Sequence, residues 1–173
     1  MSFQVELAHG LVGALIATAE PWSTLYAHSK VVSSAVTFLH VAPLVFGAGA
    51  AFVMARTTLR VSLEGPLERA RHLHDLERVH RVVLTGLTFS FISGVLFFLA
   101  DVATFAGSLL FWGKLALVTM LLSNGLLLKQ TETALLTAAD SDLLWHRMRT
   151  LSIVSAVLWL ATTLAGVVLM QFA

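Results

Sequence analysis

In this chain of 173 residues, 57% are apolar and only 12% charged, with a mean hydropathy of +0.85. A soluble domain carries about 25% charged residues, so the composition belongs to the membrane class, with room for one domain of four or five spanning helices. The net charge of +1 implies no polyanion partner, which sets nucleic acid aside, and the absence of cysteine excludes disulfides, thiolate metal sites and covalently attached c-type haem. Any metal or haem must then be held by His, Met, Asp, Glu, Lys or Tyr.

Residues 3–19 come first and read two ways. Leu7, Leu11 and Leu15 share a helical face, but the apolar run is short and includes Glu6 and His9. It fits either a helix lying in the membrane interface or a short fifth span. A signal peptide is not expected, because the cationic leading region is missing. Pro21-Trp22 is expected to end the segment, with Trp22 and Tyr26 at headgroup level. The chain thus divides into an N-terminal interfacial or short membrane helix, 1–22, and a four-helix transmembrane domain, 23–173.

Four stretches follow that can each cross about 30 Å of hydrocarbon: 31–55, 82–104, 107–128 and 151–172. Without water, only a helix satisfies all their backbone groups, so the expected fold is an all-α integral membrane four-helix bundle in contact with the lipid bilayer. Between the first and second spans lie Arg56, Arg60, Arg69, Arg71, Arg78 and Arg81. Lys129, Arg147 and Arg149 lie between the third and fourth. By the positive-inside rule, loops 56–81 and 129–150 face the cytoplasm, the C-terminus faces out, and the chain resides in the cell's inner (plasma) membrane. Gly65-Pro66 predicts a break followed by a new helix that runs into the second span. The third helix is expected to continue inward over 131–139, before Asp140 or Ser141 caps the fourth.

Three ionisable groups interrupt the apolar stretches: His40, Asp101 and Lys114. Lys114 is the most costly, at roughly 2.5–3.5 kcal/mol on insertion scales, so it calls for a partner or a task. His40 lies about 13 Å from the outer end of its span and Lys114 about 10 Å from the outer end of its own, at 1.5 Å per residue. The two are therefore at similar depth. Lys114 either snorkels to the interface or pairs with Asp101 or a ligand carboxylate. Asp101 reads equally as an interfacial carboxylate at a helix end. His40 is a buried imidazole bonded to a neighbouring hydroxyl, a ligand to haem iron or another metal, or a proton carrier.

The stripe Ser33, Thr37, His40, Leu44, Gly47, Ala51 and the stripe Gly86, Ser90, Gly94 are small and polar, and Gly125 adds a small residue on the third span. Such stripes mean close helix packing, and they also leave room for a flat cofactor. At the opposite end, His80 and His146 open the second and fourth spans. Two imidazoles at one depth on different helices can ligate one haem b iron, or they are solvated among Glu77, Arg78, Arg81, Arg147 and Arg149. The metal-ligand candidates are thus His40, His80 and His146. His72 and His74, two residues apart, point to different helix faces, which disfavours a zinc site there. His9 and His28 flank the outer side as further candidates to accompany His40.

The run Phe38-Leu39-His40-Val41, followed by Gly47, Gly49 and Arg56, resembles the first span of the HemJ/CopD-like membrane proteins. Leu110-Phe111-Trp112-Gly113-Lys114-Leu115 resembles the start of that family's third span, and Glu77-Arg78-Val79-His80-Arg81 fits its second more loosely. The resemblance covers about residues 36–130. It implies a four-helix membrane protein whose first-span histidine, here His40, serves haem binding and whose third-span lysine, here Lys114, is functionally important. HemJ-type members are haem b-binding protoporphyrinogen oxidases, and CopD-type members are associated with copper handling. In this chain the small run at 47–51 replaces an aromatic cluster, Pro43 is added, and the five methionines are scattered, without the clustered thioethers that Cu(I) favours.

The leading expectation is therefore a b-type haem-binding membrane protein acting in redox chemistry or electron transport. His40, Lys114, Asp101, His80 and His146 are the cofactor-site candidates. Two rivals stand beside it. One is a non-catalytic accessory subunit that docks other membrane subunits or further copies of itself. The other is a small metal or solute permeation protein with Asp101, His40 and Lys114 along its pathway.

Overall fold

A computed structural model describes residues 2–138 and 141–172; the side chains of residues 2–9, 11 and 172 lie outside that description. The described residues form six helices and no strand: α1 Ser2–His28, α2 Lys30–Val61, α3 Pro66–Ala100, α4 Val102–Gly107, α5 Leu109–Thr137 and α6 Asp142–Phe172. The fold is an all-α membrane helical bundle. Four helices are long and apolar enough to cross a membrane, namely Lys30–Val61, Pro66–Ala100, Leu109–Thr137 and Asp142–Gln171. Their lipid-facing sides are rich in exposed Phe, Leu, Val and Ile, as a hydrocarbon solvent requires.

The caps explain the boundaries. Ser29 accepts a hydrogen bond from the Val32 amide and opens α2. Gly65 is the N-cap of α3 with Pro66 in the first turn, as the Gly-Pro pair predicts. Ser108 accepts from the Phe111 amide and opens α5. The Leu144 amide donates to Ser141 Oγ at 3.4 Å, so Ser141 caps α6; Asp140, the other candidate, lies outside the described residues.

Two boundaries differ from expectation. Pro21 does not end α1, which continues to His28. The last turns are held from outside: Trp22 Nε1 donates to the Leu96 carbonyl at 2.8 Å, and Ser23 Oγ donates to the Ala100 carbonyl at 2.8 Å. Those tertiary bonds offset the intrahelical bond that proline removes. The second span also stops earlier than position 104. Asp101 breaks the helix at φ −150° and starts the short α4 by accepting from the Thr104 amide at 3.1 Å.

The four long helices form a ring in which α2 packs against α3 and α6, and α5 packs against α6 and more sparsely against α3. Helices α2 and α5 therefore face each other across a diagonal. The α3–α5 side is fastened near its two ends, by His80 with Glu132 at one and by Phe98 stacked on Phe111, centroids 5.3 Å apart, at the other. The contiguous buried apolar cluster is Val61, Leu73, Leu76, Leu128, Leu135, Trp145 and Met148, all at the arginine-rich end. Arg69 joins this end together. Its guanidinium lies 5.3 Å from the Trp145 ring centroid and donates to the Ser62 carbonyl at 2.7 Å.

Candidate functional site

His40 projects from α2 onto the small stripe of α3. Its Nδ1 lies 2.9 Å from the Ser90 carbonyl oxygen and 3.0 Å from Ser93 Oγ. A carbonyl oxygen only accepts, so Nδ1 carries the proton and Nε2 of the neutral ring is left with its lone pair. Among the described residues, Nε2 has no hydrogen-bond partner. Ser90 returns the contact, donating from Oγ to the His40 carbonyl at 3.4 Å.

Packing fixes the ring as well. A Cβ at Gly94 would stand 3.4 Å from His40 Cε1, so the absent side chain leaves the imidazole its place. Phe97 meets the ring edge-on with centroids 5.3 Å apart, and Tyr26 of α1 meets Phe97 at 5.9 Å. The helix α1 thus closes the outside of the aromatic group that holds His40.

Lys114 enters from the diagonal helix α5 and turns toward α6. A Cβ at Gly166 would lie 3.3 Å from Lys114 Nζ, so the ammonium rests over a glycine near the far end of α6. The side chain is partly buried, and its charge is felt at His40. Among the described residues it forms no ion pair. One turn earlier on the same face of α6, Thr162 Oγ1 is buried without a hydrogen-bond partner. The structure therefore brings His40 and Lys114 into one electrostatic neighbourhood, with the unsatisfied Thr162 hydroxyl on the α6 face that Lys114 meets.

Asp101 stands apart. Its carboxylate is exposed and engaged as the cap of α4, and no ion pair joins it to Lys114 among the described residues. His80 and His146 do not come together either. His80 Nδ1 is 2.7 Å from Glu132 Oε2, whereas His146 is exposed on α6. The described residues contain no cluster of three or more His, Asp or Glu able to hold a metal ion. His28 is exposed, with Nδ1 donating to the Thr24 carbonyl at 2.8 Å; the side chain of His9 lies outside the described residues.

The small stripes are used for packing over much of their length. Trp159 of α6 fills the room at Gly47, its Cη2 standing 3.0 Å from where a Cβ would be, and the Pro43 carbonyl sits 3.3 Å from the Cβ position of Gly86. A flat group has no space at those two points. Near Gly49, Gly113 and Gly125, nothing lies within 4 Å.

Sequence reasoning passed over Glu132 and the buried state of His72. Glu132 lies on the buried α5 stripe Leu121, Asn124, Leu128, Glu132, Leu135, and that helical spacing was the available signal. His72 is buried on α3, its Nε2 2.8 Å from Thr58 Oγ1, while His74 is exposed, as their spacing of two predicts. Burial holds the His72 imidazole below its ordinary range, against the smaller opposing pull of Asp75 and Glu132.

No family model, curated protein or solved structure matches the chain.

Proposed function

We propose that this chain is a HemJ/CopD-like, multi-pass membrane protein that holds a b-type haem and serves membrane redox chemistry or electron transfer. The observation that carries the reading is the His40 ring. Its Nδ1–H is committed to the Ser90 carbonyl and its Nε2 has no partner among the described residues, the arrangement by which proteins orient an imidazole toward a metal. The donor set fits the group: His40 supplies a neutral nitrogen ligand, and Lys114 supplies a partly buried ammonium, unpaired among the described residues, for a propionate carboxylate. When bound, the haem supplies the one-electron chemistry.

The chain's own residues then orient and shield. Ser90 and Ser93 hold the ligand nitrogen's opposite edge, Phe97 and Tyr26 keep water from that side, and Gly166 gives the Lys114 head its position. The basic loops face the cytoplasm and the α4 hairpin faces out, following the arginine distribution.

The test is an absorption spectrum of the purified protein in detergent. A Soret band with sharp reduced α and β bands is expected, lost in His40→Ala and retained in His146→Ala. A colourless preparation found at one copy per larger assembly would overturn the reading and favour an accessory subunit.

A further inference from the structure

Thr162 is a polar side chain that the haem-binding reading leaves without a role. It lies on the buried face of α6, 4% exposed, with Trp159 and Leu169 of the same helix buried above and below it. Its Oγ1 has no hydrogen-bond partner among the described residues, although the next residue, Thr163, donates to the Trp159 carbonyl at 2.8 Å. A buried hydroxyl without a partner is destabilising, and a group from outside the chain is one way to satisfy it. One turn further on, Gly166 lies under the Lys114 head: a Cβ there would stand 3.3 Å from Nζ and 3.6 Å from Cε. Residues at i and i+4 share a helix face about 5–6 Å apart, so the hydroxyl and the ammonium converge on one stretch of α6.

No described acid of the chain supplies the missing acceptor. Helix α2 has no Asp or Glu, α5 has none before Glu132 and α6 has none after Asp142, and those two lie at the arginine-rich end. Asp101 caps α4, and Glu20 of α1 is exposed and forms no ion pair among the described residues. Two donors about a turn apart, one charged and one neutral, match the two oxygens of a single carboxylate, and one ammonium balances its one negative charge. Depth narrows the class further. At about 10 Å below the outer end of its span, Lys114 is out of reach of a free hydrophilic anion. Its neighbours Leu110, Trp112 and Leu115 are exposed to lipid, which suits an acid carried on an apolar body.

We propose that Lys114 and Thr162 form a carboxylate site between α5 and α6 that takes the acid group of a membrane-dissolved amphiphile. Lys114 Nζ donates to one carboxylate oxygen and Thr162 Oγ1 donates to the other, while Gly166 leaves the ammonium its place. Two sources share this chemistry, a haem propionate and a long-chain fatty acid. For the propionate the inference rests on the haem-binding reading, to which it adds Thr162 as a second anchor. A fatty acid uses the same two donors without haem.

The experiment titrates the full chain in nanodiscs of neutral lipid with two pairs of probes. Haem and its dimethyl ester are read by the Soret band, and palmitate and its methyl ester, each labelled with carbon-13 at the carboxyl, by the shift of that resonance. At least one acid is expected to bind, with its ester about tenfold or more weaker. Thr162→Val should weaken the acid about tenfold and leave the ester unchanged, and Thr162→Ser should restore the acid. Without any probe, Thr162→Val should melt no lower than wild type, because it removes an unpaired hydroxyl; a lower midpoint with acid binding untouched is the mark of a merely structural threonine and overturns the site. Haem and its diester binding equally well, with palmitate unbound, overturns the site and leaves the haem reading standing. Palmitate binding that depends on Thr162, in a protein that takes up no haem, keeps the site and sinks the haem reading.

Discussion

Trp159 of α6 lies against Gly47 of α2 so closely that a single added methyl would meet its Cη2 at 3.0 Å. The indole is 2% exposed, so it has little room to withdraw. This contact lies on the α2–α6 side of the ring, and it uses space that the small residues of α2 had seemed to offer a cofactor. Overpacking a filled position costs about 1–3 kcal/mol. Gly47→Ala is expected to lower the thermal midpoint in detergent. Gly49→Ala, with nothing within 4 Å, should be neutral or slightly stabilising.

Gly94 tests the seating of His40. Its Cβ position is 3.4 Å from the ring, so Gly94→Ala should be accommodated, whereas Gly94→Val should drive the imidazole off the Ser90 carbonyl. With haem bound, the alanine variant is expected to keep the wild-type spectrum. The valine variant should lose it or shift it, while retaining helical circular dichroism.

If Lys114 holds a propionate as proposed, it sets stability against binding. A partly buried ammonium without an ion-pair partner among the described residues is costly to keep, so replacing it with methionine of similar length should stabilise the empty bundle by about 1–3 kcal/mol. Haem retention, measured by pigment content after purification, should fall in the same variant. A Lys114→Met protein that is less stable when colourless would show that the ammonium is already satisfied.

His72 makes the fold acid-sensitive. Its folded-state value is depressed, so the unfolded chain binds the proton more readily. The contribution is therefore intact above about pH 6.5, the unfolded value, and is lost as pH falls through the lower folded value. His72→Gln, which can still bond Thr58 Oγ1, should flatten this limb in denaturant midpoints measured across that window.

The spans, the Gly65-Pro66 entry to α3 and the Ser141 cap were legible because each follows from local chemistry: apolar length, a missing amide hydrogen, a hydroxyl at a helix start. The continuation of α1 through Pro21 is not legible locally, because the bonds that hold it come from Leu96 and Ala100, more than seventy residues away. Asp101 sits in a run that looks like continuous membrane, yet its side chain serves its own backbone and breaks the helix there. His40 and Lys114 were legible as unusual residues at one depth. Their orientation was not, since it depends on Ser90, Gly94 and Gly166 of other helices. Glu132 was hidden by its exposed polar neighbours Lys129, Gln130 and Thr133, although its position on the stripe of α5 sets it apart from them.

The contiguous apolar core lies wholly at the arginine-rich end, beside the His80–Glu132 contact and away from His40 and Lys114. Rigidity is therefore graded along the bundle axis. Warming should loosen the hairpin half first, releasing any bound pigment while the opposite end still protects its amides from hydrogen exchange. Loss of colour and loss of helix would then occur at separate temperatures, with the pigment acting as a thermometer for one half of the molecule.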